Sequence, residues 1–185
     1  MFNKKTKRKK GSALVEFVII IPVIYLAAWS CMFIIFYSMS QNTLHQAANE
    51  GARILTQELR GNTGNIPNTD EVKTLLANKV EVSANSFHYV LLFHDASGKA
   101  TTPQVIIEPS SGDCLKEVQN KERVICAQTE KGTSNGIEQQ QIVVVIRAKF
   151  QQIGNSIPGL SDKTYSTGKG TSEKEFSGRF NYWKN

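Results

Sequence analysis

The most unusual reactive side chain in this sequence is Glu16, the single acid at the start of a long apolar run. A carboxylate at the centre of a membrane span costs about 2.5–3.5 kcal/mol even on the lenient insertion scale. Glu16 stands near one edge of the run, which reduces this cost. It either faces lipid headgroups or pairs with a cation, because a charge pair costs less in lipid than either ion alone.

The sequence contains no motif that we can assign to catalysis. Its Gly-Lys pairs lack the upstream glycine of a phosphate-binding loop, and no Gly-x-Ser-x-Gly elbow occurs. Of the three histidines, only His88 and His94 are close together, and the neighbouring Asp95 would point to the opposite face of a strand. We therefore predict no catalytic residue, no metal site and no cofactor.

Glu16 belongs to an element that the hydropathy pattern predicts as a membrane-spanning helix. About 20 apolar residues, roughly Val18 to Tyr37, rise about 30 Å as a helix, which is the thickness of a hydrocarbon core. Six of the 22 Lys and Arg residues precede them within the first ten positions, which leaves 16 basic against 16 acidic residues. Cations stay on the cytoplasmic side, so we predict a cytoplasmic N-terminus and an exported C-terminal domain. A nucleic-acid partner is not expected, because the basic charge lies in the leader and not on a folded face.

The exported part contains two cysteines, Cys114 and Cys126. In an oxidising compartment, such a pair favours a disulfide over a metal site, and closing this loop contributes about 3 kcal/mol. Two reduced thiols in a core are the alternative. Cys31 lies inside the span, where it serves as a small apolar residue.

The first helix is predicted to continue past the membrane, from Ser12 to about Arg60, with Gly61 as its stop signal. Small and apolar residues beyond Ser40 recur at helical spacing and form one stripe. Such a stripe lets another element approach closely. It docks on the chain's own domain, on another subunit, or on both. The residues that we predict to pack against other subunits are Ala48, Gly51, Ala52 and Leu55.

The remaining sequence predicts one helix and several strands. Asn68 and Glu71 have the spacing of a capping box at the start of a second helix. Strands are expected at Phe87–Phe93, Val105–Ile107, Arg123–Ala127, Ile142–Phe150 and Glu175–Trp183. The valine-rich run before Phe150 suits a central strand that is covered on both faces. The expected fold is α+β: a transmembrane helix continues into an amphipathic helix that packs on an antiparallel sheet.

Three segments of the chain resemble the TadE-like pseudopilins of tight-adherence (Flp/Tad) pilus systems. They are the run from Gly11 to Phe17, the pair Ile21-Pro22, and the run from Ala47 to Arg53. The resemblance implies a type IV pilin-like fold and cleavage by a prepilin peptidase between Gly11 and Ser12. It also implies that Glu16 and Phe17 belong to the processing and assembly signal. It does not separate TadE from TadF or another minor pilin.

The resemblance also implies partners and a location. A minor pseudopilin of this kind works in pilus assembly with other pilins, a secretion ATPase and an inner-membrane platform, and it contacts membrane lipid. The chain is then expected to divide into a basic leader (1–11), a transmembrane helix (12–38), an amphipathic continuation (39–61) and an extracytoplasmic α+β domain (62–185).

Two other hypotheses remain open at this stage. In the first, the chain is an ordinary single-pass membrane protein with an exported binding domain and no processing at Gly11. In the second, it is a secreted protein that a signal peptidase cuts near Ser38-Met39-Ser40. The apolar run exceeds the usual signal-peptide core of about 7–15 residues, which argues against the second hypothesis.

Overall fold

The structure is a computed structural model that describes residues 12–59, 65–134, 137–151 and 165–173. Its contacts divide the chain into two compact units, Met1–Phe36 and Tyr37–Asn185, which are considered separately below. The elements are α1 (Ser12–Glu58), α2 (Asp70–Ala84), β1 (Val90–Leu91), β2 (Gln104–Ile107), α3 (Cys114–Val118), β3 (Val124–Ser134), β4 (Ile137–Phe150) and β5 (Tyr165–Glu173).

The sheet of the second unit is built around β4. β4 pairs antiparallel with β3, β5 and β1, whereas β2 pairs parallel with β3. The expectation of a purely antiparallel sheet is therefore corrected at β2. A parallel pair needs a crossover connection, and the short helix α3, which the sequence analysis missed, lies in the segment that joins β2 to β3.

Both faces of the sheet are covered, as the valine run predicts. Val144 and Ile146 of β4 face a large core cluster that contains α1 and α2 residues such as Leu44, Leu55 and Leu76. Val143 and Val145, which alternate with them, face a smaller cluster that contains Cys114, Val118 and Cys126. The period of two along the strand thus places successive valines in two separate cores.

Helix α2 begins close to the predicted position, but with a different cap. Thr69 is extended, with φ −104° and ψ 155°, and its hydroxyl accepts a hydrogen bond from the Val72 amide at 3.4 Å. The predicted cap, Asn68, lies one residue too early. Thr69 is the residue whose extended backbone brings a side-chain oxygen to the first free amides of the helix.

Strand β5 lies directly beneath helix α1. A Cβ atom at Gly168 would collide with the backbone of Leu44 and His45, and one at Gly170 with the backbone of Ala48 and Asn49. Glycine therefore permits a strand-to-helix approach that no other residue allows here. The sequence analysis did not predict β5, and the strand that it predicted at Glu175–Trp183 lies outside the described residues.

The other strand predictions differ mainly in length. Arg123–Ala127 and Ile142–Phe150 correspond to the longer strands β3 and β4. Phe87–Phe93 contains only the two-residue strand β1. The expected architecture is confirmed: a long N-terminal apolar helix packs on a mostly antiparallel sheet in an α+β, pilin-like arrangement.

Candidate processing segment and helix surface

The predicted processing segment lies at the start of helix α1. Gly11 is outside the described residues, and α1 begins at Ser12. Glu16 is exposed one turn later, and Phe17 beside it is 65% exposed. The structure therefore places an acid and an aromatic ring on the surface of the first helical turns.

The following helical turns carry an apolar surface that no part of the chain covers. The most apolar 18 consecutive residues of this helix are 0% buried within the chain. In the described part of the chain, α1 is the one helix that is long and apolar enough to cross a membrane. Large apolar side chains exposed at this density are unsuited to water, and a lipid environment accommodates them. This helix is consistent with a single membrane anchor.

The stripe predicted to pack against other subunits is instead part of the domain's own core. The side chains of Ala48, Ala52 and Leu55 are 0% exposed. A Cβ at Gly51 would stand 3.0 Å from Leu76 Cδ1, so helix α2 occupies the space that this glycine leaves. These four residues offer no surface to another subunit, and a subunit contact on this part of α1 must use its other faces.

Polar side chains on another face of α1 bind the backbone of strand β5. His45 Nδ1 lies 3.1 Å from the Lys169 amide nitrogen, and Asn49 Oδ1 accepts from the Thr171 amide at 3.3 Å. Four residues along a helix rise about 6 Å, which nearly equals two residues along a strand. The spacing of His45 and Asn49 therefore matches alternate amides of β5. This contact was missed because β5 was missed.

The exposed side of α1 also carries an ion pair. Arg53 Nη2 lies 2.6 Å from Glu50 Oε1, and Arg53 Nε donates to Glu50 Oε2 at 3.0 Å. The hydrogen bond from Arg53 lowers the pKa of Glu50, and the same bond raises the pKa of Arg53. Both groups are solvated, so this pair shapes the helix surface and adds little to stability.

A disulfide joins Cys114 and Cys126, the pair predicted from the sequence, with their Cα atoms 5.6 Å apart. It ties the first residue of α3 to β3, on the side of the sheet opposite α1. The Gln128 side chain accepts from the Cys114 amide at 2.5 Å, so the start of α3 is also held by a hydrogen bond. Both cysteines are buried, which fits a structural bridge.

The two neighbouring histidines contact each other. The rings of His88 and His94 are stacked with their centroids 5.5 Å apart, and His94 Nε2 lies 3.1 Å from the His88 carbonyl oxygen. The described residues contain no group of three or more histidine, cysteine or acidic side chains arranged to hold a metal ion. We therefore assign these histidines no chemistry.

Comparison with known proteins identifies the N-terminal part of the chain. Residues 11–53 match the TadE family, described as TadE-like protein. No curated protein and no solved structure gives a match. The matched residues begin at the predicted processing glycine and end at Arg53 of the ion pair, and they include the whole apolar surface of α1. Over this N-terminal region, the chain is therefore similar to the TadE-like protein family.

Proposed function

We propose that this chain is a membrane-anchored minor pseudopilin, similar to TadE, that takes part in assembling a Flp/Tad pilus. The observation that carries the proposal is the family match over residues 11–53, which joins the glycine of the leader to the apolar helix that follows. The fold supports it, because α1 is exposed and apolar in its first half and enters the core of a domain in its second. The task is structural, and no enzymatic step is proposed for the chain itself.

The proposed maturation step is cleavage between Gly11 and Ser12 by a prepilin peptidase. Removal of the basic leader leaves a new α-amino group at Ser12, at the start of helix α1. That cation pairs with the Glu16 carboxylate of a neighbouring pilin or pseudopilin in the membrane. The pairing offsets the cost of holding either charge in lipid, which gives Glu16 a reason to stand in an apolar helix.

The proposed location is the inner membrane, with the N-terminus in the cytoplasm and the domain outside it. The leader lysines set this orientation. The assembly partners are the major pilin, other pseudopilins, a secretion ATPase and the inner-membrane platform.

The secreted-protein hypothesis is disfavoured by the course of α1. The helix passes without interruption through Ser38-Met39-Ser40, and Ser40 is buried with its hydroxyl 3.0 Å from that of Ser166. Leu44, one turn later, belongs to the core. A cut at this point would sever a helix where it enters the domain that it stabilises.

N-terminal sequencing of the protein from its native cells tests the proposal. We expect the mature chain to begin at Ser12, the variant Gly11→Leu to keep Met1, and the control Lys10→Arg to be processed normally. Among processed variants, Glu16→Gln is expected to abolish pilus assembly, and Glu16→Asp to retain part of it. A wild-type chain that still begins with Met1 would favour an unprocessed single-pass protein, and a start near Gln41 would favour a secreted one.

A further inference from the structure

The second unit begins at Tyr37, and this residue ties three elements together. Its ring packs edge-to-face on Phe150 at the end of β4, with the centroids 5.7 Å apart. Its hydroxyl donates to the Tyr165 carbonyl oxygen at the start of β5, at 3.2 Å. One end of the sheet is therefore assembled around the residue at which the domain starts.

Other aromatic side chains extend from this point across the same end of the domain. Phe150, which is 2% exposed, also contacts Tyr89 at 6.5 Å between ring centroids. Tyr89 in turn contacts Phe87 at 5.4 Å and His88 at 6.1 Å. We call Tyr37, Phe87, His88 and Tyr89 the Tyr37 patch. His88 is exposed and the other three are half-buried, and they surround the buried Phe150.

Charged groups of both signs lie at the same end of the sheet as the patch, with Arg147 and the Tyr165 ring on the face that points away from α1. The Arg147 guanidinium lies 4.4 Å from the centre of the Tyr165 ring, and the Tyr165 hydroxyl donates to Glu122 at 3.3 Å. Arg123 donates to the Leu91 carbonyl oxygen, and Lys149, paired with Leu91, is half-buried. A surface that combines cations, an acid and amphipathic rings is suited to contact a layer that contains both charged and apolar groups.

The chain connects this patch directly to the apolar part of α1. The run of about 20 apolar residues that matches the thickness of a hydrocarbon core ends at Tyr37, and the polar residues start at Ser38. Tyr37 therefore stands at the edge of the hydrocarbon, and the rest of the patch lies within three ring contacts of it. Tyrosines are enriched at this level of a membrane, because the ring prefers the apolar side and the hydroxyl the wet side.

We propose that the Tyr37 patch is a lipid-binding surface that rests in the phospholipid headgroup layer of the membrane that holds α1. The contact would position the base of the domain on the bilayer and cover His88, which the protein alone leaves exposed. This inference rests on the membrane anchor and not on the pilus role or on cleavage at Gly11. It holds for either leaflet, because headgroups are present on both sides.

Fluorescence quenching of the full-length chain in vesicles tests this contact. The chain is reconstituted in phosphatidylethanolamine and phosphatidylglycerol, with His88→Trp as the reporter in a Trp29→Phe, Trp183→Phe background. The matched control is Gln57→Trp in the same background. Gln57 is exposed on α1 and lies 20 residues beyond Tyr37, or about 30 Å along a helix.

We expect a lipid with a nitroxide on its headgroup to quench the reporter at position 88 several-fold more than the one at position 57. Acrylamide, a quencher in the water, should show the reverse order, because headgroups cover position 88. Mere proximity to the membrane would leave position 88 as open to acrylamide as position 57, and that result would overturn the proposal.

A second reporter, Tyr89→Trp, guards against misfolding of the first, and resistance of the buried Cys114–Cys126 bridge to a mild reductant reports that the domain is folded. If both reporters behave like the control, the lipid contact is wrong, whatever the mature N-terminus. If the chain keeps Met1 and both reporters are quenched, the lipid contact stands and the processing proposal fails.

Discussion

The two halves of helix α1 are built for different surroundings. In the first half, apolar side chains such as Ile24 and Leu26 are 62% and 63% exposed. In the second half, Leu44 and Leu55 are 0% exposed, and the exposed positions are polar, as at Asn49 and Gln57. The same residue type, leucine, is thus largely exposed in one half and fully buried in the other.

The apolar side chains of the first half of α1 are therefore not explained by burial inside the chain. An exposed leucine is stable there only if lipid or another apolar partner replaces water, whereas the second half obtains its apolar environment from α2 and the sheet. Substitutions that have opposite consequences in the two halves should therefore separate a lipid-facing helix from a core helix.

Truncation of a leucine in the second half should give the largest effect. Leu44→Ala removes a fully buried side chain at the contact with β5, and we expect it to lower the free energy of unfolding by about 2–5 kcal/mol. The matched control is Ile24→Ala, which removes an exposed side chain and should leave domain unfolding unchanged within about 0.5 kcal/mol. Denaturant unfolding of both variants in the same detergent gives the comparison. Equal losses would mean that the two halves do not differ.

An added charge should have its larger effect in the first half of α1, the reverse of the leucine truncation. Ala28→Lys places a cation near the middle of the apolar run, and we expect it to cost about 2.5–3.5 kcal/mol of membrane insertion. Gln57→Lys adds the same charge to an exposed position of the second half and should have no effect on insertion. Carbonate extraction of membranes from expressing cells measures the inserted fraction. Normal insertion of Ala28→Lys would contradict a membrane-spanning role for this half.

The long helix and the central strand could be predicted because each has a strong local signal. The apolar run and the small-residue stripe follow the helical period over many turns, and the valine run indicates a strand with two covered faces. The disulfide was predictable because Cys114 and Cys126 are the two cysteines outside the apolar run.

Strand β5 could not be predicted because its place in the fold depends on space and not on hydrophobicity. Ser166, Gly168 and Gly170 fill the inner positions, where the α1 backbone leaves no room for a larger side chain. The apolar alternation that marks a half-buried strand is therefore missing. The sequence analysis predicted that Gly51 and its neighbours pack against another subunit, whereas in the structure Gly51 packs against α2, and the reason is related. A stripe of small residues shows that something approaches closely, but the sequence does not show that this is α2 of the same chain.

The contact between α1 and β5 gives the third prediction. Asn49→Ala removes the side-chain partner of the Thr171 amide, and we expect a loss of about 0.5–1.5 kcal/mol in the free energy of unfolding. The control Asn42→Ala changes an exposed asparagine two turns earlier and should be close to neutral. Hydrogen exchange at the Thr171 amide is the most direct measurement, and it should accelerate in the first variant alone. Unchanged exchange would show that the side chain does not protect this strand.

The ion pair on the outer side of the second half gives the smallest expected effect. The bond from Arg53 lowers the pKa of Glu50, so its contribution to stability is present above the unfolded pKa of about 4.3 and is lost as pH falls through the lower folded pKa. Arg53→Gln should raise the pKa of Glu50 toward the ordinary glutamate value, and Arg53→Lys should restore part of the shift, because an ammonium keeps the charge without the two-pronged geometry. Titration of the Glu50 carboxyl carbon by NMR measures this change.

Since both side chains are solvated, added salt should reduce the pKa shift of Glu50, whereas it should leave the Leu44→Ala effect unaltered. A Glu50 pKa that does not change in Arg53→Gln would mean that the surface of this half is set by solvent alone.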